Sequence, residues 1–118
     1  WSLHKNYAIT ANVIDALYQL TSLAKFIQKN PKQAITSGGS GIIQCSATGN
    51  PAPQFKWSKE DGSLQKGRFI QLANGNLMVN SVQREDKGTY ICKIEQSRGS
   101  ESTSEKSQRI NVRVVGKM

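Results

Sequence analysis

The sequence predicts an all-β fold, a two-sheet Greek-key sandwich, preceded by an amphipathic α-helix. Three observations carry that expectation. Cys45, Trp57, Tyr90 and Cys92 follow one another at the spacing of a sandwich framework, with Trp57 twelve residues after Cys45 and Tyr90 two before Cys92. From Ala34 onward, short alternating apolar runs are separated by glycine, proline and asparagine. Ahead of Pro31 the apolar period is helical instead.

In the helical part, Ile9, Val13, Leu17, Leu20, Ala24 and Ile27 recur at steps of four, four, three, four and three. Ala8, Ala11, Ala16 and Ala24 raise helix propensity, and Pro31 closes the run. The spacing predicts a helix from about Tyr7 to Lys29, about 33 Å long at the usual rise per residue. Tyr18, Leu23 and Phe26 widen the apolar stripe beyond a two-residue seam, which favours packing on the sandwich or on a neighbouring domain over a dimeric coiled coil. The predicted organisation is a helical extension or linker over residues 1–31 and a sandwich domain over 32–118. Asn12, Asp15, Gln19 and Lys25 make the most apolar stretch, Ala8 to Ile27, too polar for a bilayer span. No transmembrane segment or secretory leader is expected, and a chain starting at Trp1 reads as a piece of a longer protein or a processed form.

The strands follow in order. Ala34 to Thr36 reads as a first edge strand, and Gly38-Gly39-Ser40-Gly41 as a loop. Ile43, Cys45 and Ala47 alternate inward on the next strand, which Asn50-Pro51-Ala52-Pro53 ends in a turn. Phe55 and Trp57 point inward on the following one, Lys59-Glu60-Asp61-Gly62 turns the chain, and Phe69 to Leu72 is another short strand. Asn74-Gly75 marks a hairpin ahead of Leu77 and Val79. Glu85-Asp86-Lys87-Gly88 leads into a strand where Tyr90, Cys92 and Ile94 share a face. The polar run from Gln96 to Ser107 predicts a long loop before a closing strand with Ile110, Val112 and Val114 inward.

These residues resemble the I-set branch of the immunoglobulin superfamily. The likeness lies in Gly49-Asn50-Pro51-Ala52-Pro53 ahead of Trp57, in Leu77, and in Asp86-Lys87-Gly88-Thr89-Tyr90-Ile91-Cys92. It covers about Lys32 to Val115 and leaves residues 1–31 outside. The resemblance implies a buried Cys45–Cys92 disulfide between the sheets, with Trp57 and Leu77 in the core and the Tyr90 hydroxyl bonded to backbone at a corner. A redox or metal role for the cysteines is the competing reading, disfavoured by their long separation with Trp57 between them. Such a bridge would stabilise the fold by about 4 kcal/mol and would persist mainly outside the reducing cytosol. The resemblance also implies an ion pair between Arg68 and Asp86; read from the residues alone, both are compatible with ordinary surface charges.

No catalytic constellation is evident. The single histidine, His4, sits among terminal residues, and no serine, threonine or cysteine has a base and orienting carboxylate in sight. No metal site or cofactor is expected. The chain therefore reads as a non-catalytic interaction module. Sixteen basic against eight acidic residues give a net charge of +8, which favours acidic partners. With Trp57, Tyr90, Cys92, Ile110, Val112 and Val114 inward, alternation turns Lys56, Ile91, Lys93, Arg109, Asn111 and Arg113 outward. The family's strands C, F and G share a sheet, so these side chains predict one basic C-F-G face, the candidate contact for a protein partner. The loop from Gln96 to Ser107, between strands F and G, is a second candidate. A plain solvated sheet face, with its charges guarding the G edge, is the bland alternative. A sulfated glycan is a further candidate partner for Lys56, Lys93, Arg109 and Arg113, whereas nucleic acid is not expected because no recognition helix or stacking array accompanies the charge. The resemblance implies either a cell-surface receptor or adhesion protein or, alternatively, a structural spacer of a cytoplasmic, sarcomere-like filament. The cysteine pair favours the extracellular side, although none of the eight asparagines forms a glycosylation sequon.

Overall fold

The computed structural model describes residues 22–97 and 103–116. Among these are nine strands: β1 (Ser22–Phe26), β2 (Lys32–Thr36), β3 (Gly41–Ile43), β4 (Ala47–Asn50), β5 (Gln54–Lys59), β6 (Phe69–Gln71), β7 (Leu77–Val79), β8 (Gly88–Ser97) and β9 (Thr103–Val115). One 3-10 turn, Arg84–Asp86, precedes β8. A four-stranded sheet runs β2-β9-β8-β5, a three-stranded sheet runs β3-β7-β6, and β1 pairs with β4. β2 lies parallel to β9, whereas the other pairs are antiparallel.

Period-two alternation decides what each strand buries. Tyr90, Cys92 and Ile94 of β8 and Ile110 and Val112 of β9 are each at most 1% exposed, and Ile43, Leu77 and Val79 face them from the other sheet. Phe55, Trp57, Phe69 and Val114 pack against this cluster while partly exposed. Trp57 Nε1 donates to the carbonyl of Gly75 at 2.8 Å, so the indole reaches the core without leaving its N–H unpaired. Gly75 itself has φ +98°, and a Cβ there would meet the Phe55 ring at 2.5 Å, which is why the turn after Asn74 takes glycine.

Three sequence-based expectations are corrected. The strand expected to carry Ile43, Cys45 and Ala47 is split into β3 and β4. Between them, the N–H of Gln44 donates to Gln33 Oε1 at 2.7 Å and that of Cys45 to Asn76 Oδ1 at 3.1 Å, so side chains take over where strand pairing stops.

The helix expected from Tyr7 to Lys29 does not extend over its last part, because Ser22–Phe26 is β1, antiparallel to β4. Of the supposed apolar stripe, Leu23 and Ile27 are 54% and 60% exposed, and Ala24 between them is buried. The remainder of that expected helix lies outside the described residues. Short apolar runs satisfy helical and extended periods alike, and the pairing partner in β4 decides between them.

The loop expected from Gln96 to Ser107 is mostly paired strand. β8 and β9 keep register from Gly88↔Val112 to Ser97↔Thr103, and only residues 98–102 lie outside the description. Polar side chains suit a solvated sheet face as well as a loop, and the inward Gln96 meets backbone groups of β1 rather than water, so polarity does not separate hairpin from loop.

Candidate interaction surface

The outward residues of β5, β8 and β9 form cross-strand rows. Gln54, Glu95 and Glu105 make one, Lys56, Lys93 and Ser107 the next, and Ser58, Ile91 and Arg109 a third. Lys56, Ile91, Lys93 and Arg109 thus lie together on one face. Arg113 lies further along β9, opposite Ala34 of β2. The G edge is likewise corrected: over Asn111–Val115, β9 is an interior strand with β2 beside it, and the sheet edges there are β2 and β5.

The face is not uniformly basic. Lys56 and Lys93 stand directly opposite each other, an arrangement that repulsion disfavours, and Glu95 sits against both at 3.3 Å. Lys93 also approaches Glu105 at 3.7 Å, and Arg109 pairs with Glu60. The hydrogen bonds from Lys93 and then Lys56 hold the Glu95 carboxyl below the usual carboxylate range, and the bond to Glu95 raises Lys93. Arg113 has no ion-pair partner among the described residues. The surface therefore carries interleaved bands of both signs around the partly buried Ile91.

Behind this face lies the framework. Cys45 and Cys92 form a disulfide, with Cα atoms 6.6 Å apart, tying β8 to the segment between β3 and β4. Arg68 donates through both terminal nitrogens to Asp86, at 2.8 and 3.0 Å, and also to the carbonyls of Asn80 and Ser81. Asp86 further accepts the N–H of Gln83 at 2.8 Å, and the Tyr90 hydroxyl donates to the Asp86 carbonyl at 2.6 Å. Burial of Asp86 opposes ionisation, but the Arg68 and Gln83 bonds outweigh it and hold the carboxyl below its ordinary range. The Asp86 hydrogen bond in turn raises Arg68. Burial pushes the Tyr90 phenol up to about 12. Among the described residues, no cluster of three histidine, cysteine or carboxylate side chains could hold a metal ion, and no helix is long and apolar enough to cross a membrane.

Gln96 escaped sequence reasoning because it opens a polar run. It is 1% exposed. Its Oε1 accepts the Ala24 N–H at 2.9 Å, and its Nε2 donates to the carbonyls of Ser22 and Pro51 at 2.6 and 2.9 Å. Its position in step with Tyr90, Cys92 and Ile94 was the signal that pointed it inward.

The model of the immunoglobulin I-set domain matches residues 24–112. Roundabout homolog 3 of Homo sapiens is 33% identical over 79 residues, which are 67% of this chain and 6% of that protein. Among solved structures, the N-terminal Ig1-2 module of the Drosophila receptor protein tyrosine phosphatase DLAR superposes with a TM-score of 0.64. That match is 28% identical and covers 80% of this chain and 46% of that one. The insect immune protein hemolin, whose domain arrangement is described as having implications for homophilic adhesion, superposes with a TM-score of 0.63. It is 29% identical, with 80% and 23% covered. The chain spans only a small fraction of the curated relative's length.

Proposed function

Because the chain belongs to the immunoglobulin I-set family, we propose that it is a protein-interaction module of a larger cell-surface protein, contacting its partner through the outer face of β5, β8 and β9. One observation carries this reading: the interleaved charges around Ile91, in which Lys56, Lys93 and Arg109 alternate with Glu60, Glu95 and Glu105. Pairs of both signs around an apolar centre suit a protein surface of complementary pattern, and they fix register as well as attraction. A polyanion such as a sulfated glycan is less well matched, since three carboxylates lie within the same patch. The likeness to a receptor phosphatase and to hemolin supports a cell-surface or extracellular setting, as does the Cys45–Cys92 bridge. We take the domain to begin at β1, since Ala24 is buried and β1 pairs with β4. Catalysis forms no part of this function.

Binding of the labelled chain to cells of its native source, followed by flow cytometry, tests the reading. Ile91→Glu combined with Lys56→Glu and Arg113→Glu is expected to weaken binding about tenfold while leaving thermal melting near that of the parent chain. Undiminished binding by the triple variant, or binding abolished by enzymatic removal of sulfated glycans from the cells, would overturn it.

A further inference from the structure

The crossover between β1 and β2 leaves a second surface along the edge of β9, which adjoins the outer sheet face and shares Ser107 and Arg109 with it. β2 runs beside β9 only from Asn111 to Val115; ahead of Asn111, no described strand pairs with β9 on the side away from β8. The Asn111 N–H donates to the Pro31 carbonyl at 2.7 Å, which fixes the side to which that residue's backbone points. Backbone direction alternates along a strand, so the N–H and C=O groups of Arg109, Ser107 and Glu105 point to the same side, where they meet no strand. The chain ahead of Pro31, which would have covered them, lies beside β4 instead as β1.

In place of a strand there is an open groove of about 690 Å³, lined by Lys25, Phe26, Lys29, Pro31 and residues 106–109. Four of the eight lining residues are Lys25, Lys29, Lys106 and Arg109, and none is acidic. Arg109 is engaged by Glu60, whereas the three lysines have no ion-pair partner among the described residues. Gln108 is only 9% exposed, and its Oε1 is a buried acceptor without a hydrogen-bond partner among the described residues. A buried amide oxygen left unpaired is unfavourable, so the site is short of a donor as well as of negative charge.

We propose that this groove binds an acidic peptide segment of a partner protein, which adds to β9 as an extra strand along its free edge. The peptide backbone supplies the alternating donors and acceptors that Glu105, Ser107 and Arg109 lack, and its acidic side chains meet Lys25, Lys29 and Lys106. An N–H or amide group of the same segment satisfies Gln108. A sulfated glycan would satisfy the lysines but offers no ladder of backbone groups at strand spacing, so the unpaired edge favours the peptide.

The test uses the full chain and a fluorescein-labelled peptide of alternating glutamate and threonine or valine, about eight residues long, the ordinary length of a strand. Fluorescence anisotropy at low ionic strength is expected to show saturable binding that weakens as salt is raised. Methylating alternate backbone nitrogens of the peptide on its pairing edge preserves its charge and removes its pairing, and should weaken binding about tenfold through lost hydrogen bonds. Lys25→Glu with Lys106→Glu should weaken it at least as much. Ser107→Pro removes an N–H that faces the groove rather than β8, so it should abolish pairing while sparing the β8 ladder. No binding of the acidic peptide, equal binding of the methylated one, or displacement only by a sulfated oligosaccharide would overturn the proposal. The methylated peptide keeps the test decisive even if Ser107→Pro fails to fold.

Discussion

Asp86 holds the corner between the 3-10 turn and β8 with nearly all its hydrogen-bonding capacity in use. Arg68 takes both carboxylate oxygens, Gln83 donates a backbone N–H, and Tyr90 closes on the carbonyl four residues back. Because the folded carboxyl titrates below its ordinary value, its stabilisation is present above about pH 4 and is lost as pH falls through the folded value. Tyr90 acts at the other end. Its phenol titrates near 12 when folded and near 10 when unfolded, so the folded state favours the neutral form. Stability is therefore unaffected by this group below pH 10 and falls by about 3 kcal/mol as pH rises from about 10 to 12, because burial penalises the phenolate. Urea denaturation of the parent chain, Asp86→Asn and Tyr90→Phe across this pH range checks both signs. Asp86→Asn should cost about 3 kcal/mol at neutral pH and flatten the acid limb, and Tyr90→Phe should cost about 1 kcal/mol and flatten the alkaline limb. Acid and alkaline limbs identical in all three proteins would refute the assignment.

At the scale of elements, β1 is held by a side chain as much as by a strand. The Gln96 amide pairs with β1 at Ser22 and Ala24 and with the turn after β4 at Pro51. Gly49 permits this closeness, since a Cβ on it would stand 2.9 Å from the Ala24 Cα and 3.0 Å from Gln96 Nε2. Gln96→Ala is expected to cost about 2 kcal/mol, because it strands the buried Ala24 N–H and removes the donor to the half-buried carbonyls of Ser22 and Pro51. Hydrogen exchange locates the effect: the Ala24 amide should lose protection while amides of β8 near Cys92 keep theirs. Unchanged exchange at Ala24 would mean that β1 is held by β4 alone. The same hairpin that places Gln96 inward carries Glu95 and Glu105 outward, so one register builds both the anchor of β1 and the mixed charge of the outer face.

Across the whole molecule, the Cys45–Cys92 bridge joins the two layers at their centre, where Trp57 pairs with Cys92 across β5 and β8. Closing a loop of that length removes denatured-state entropy worth about 4 kcal/mol, a large share of the stability of a single small domain. Replacing both cysteines by alanine should lower the urea midpoint accordingly, and a thiol assay on the denatured, unreduced parent should find no reactive group. Two reactive thiols in protein from its native source would count against an extracellular setting. The net charge of +8 is a property of the whole that no single face inherits. The outer sheet face balances its cations with Glu60, Glu95 and Glu105, whereas the groove beside β9 gathers lysines without acids.

The sequence by itself determined the inward set and the corner. Alternation at Tyr90, Cys92, Ile94, Ile110 and Val112 and the turn at Asn74-Gly75 are local patterns, and burial of apolar side chains enforces them wherever the chain folds. The same alternation, read outward, put Lys56, Ile91, Lys93 and Arg109 on one face. Only the tertiary structure decided what those charges meet, because Glu60, Glu95 and Glu105 reach them from turns and neighbouring rows whose register no local pattern states. It also decided that Ser22–Phe26 is a strand and that most of the polar run after Gln96 is a hairpin. The first depends on partners distant in sequence, β4 and Gln96, and the second on the register in which β9 returns along β8; the free energy of those pairings overrides the weak local preferences of the segments themselves.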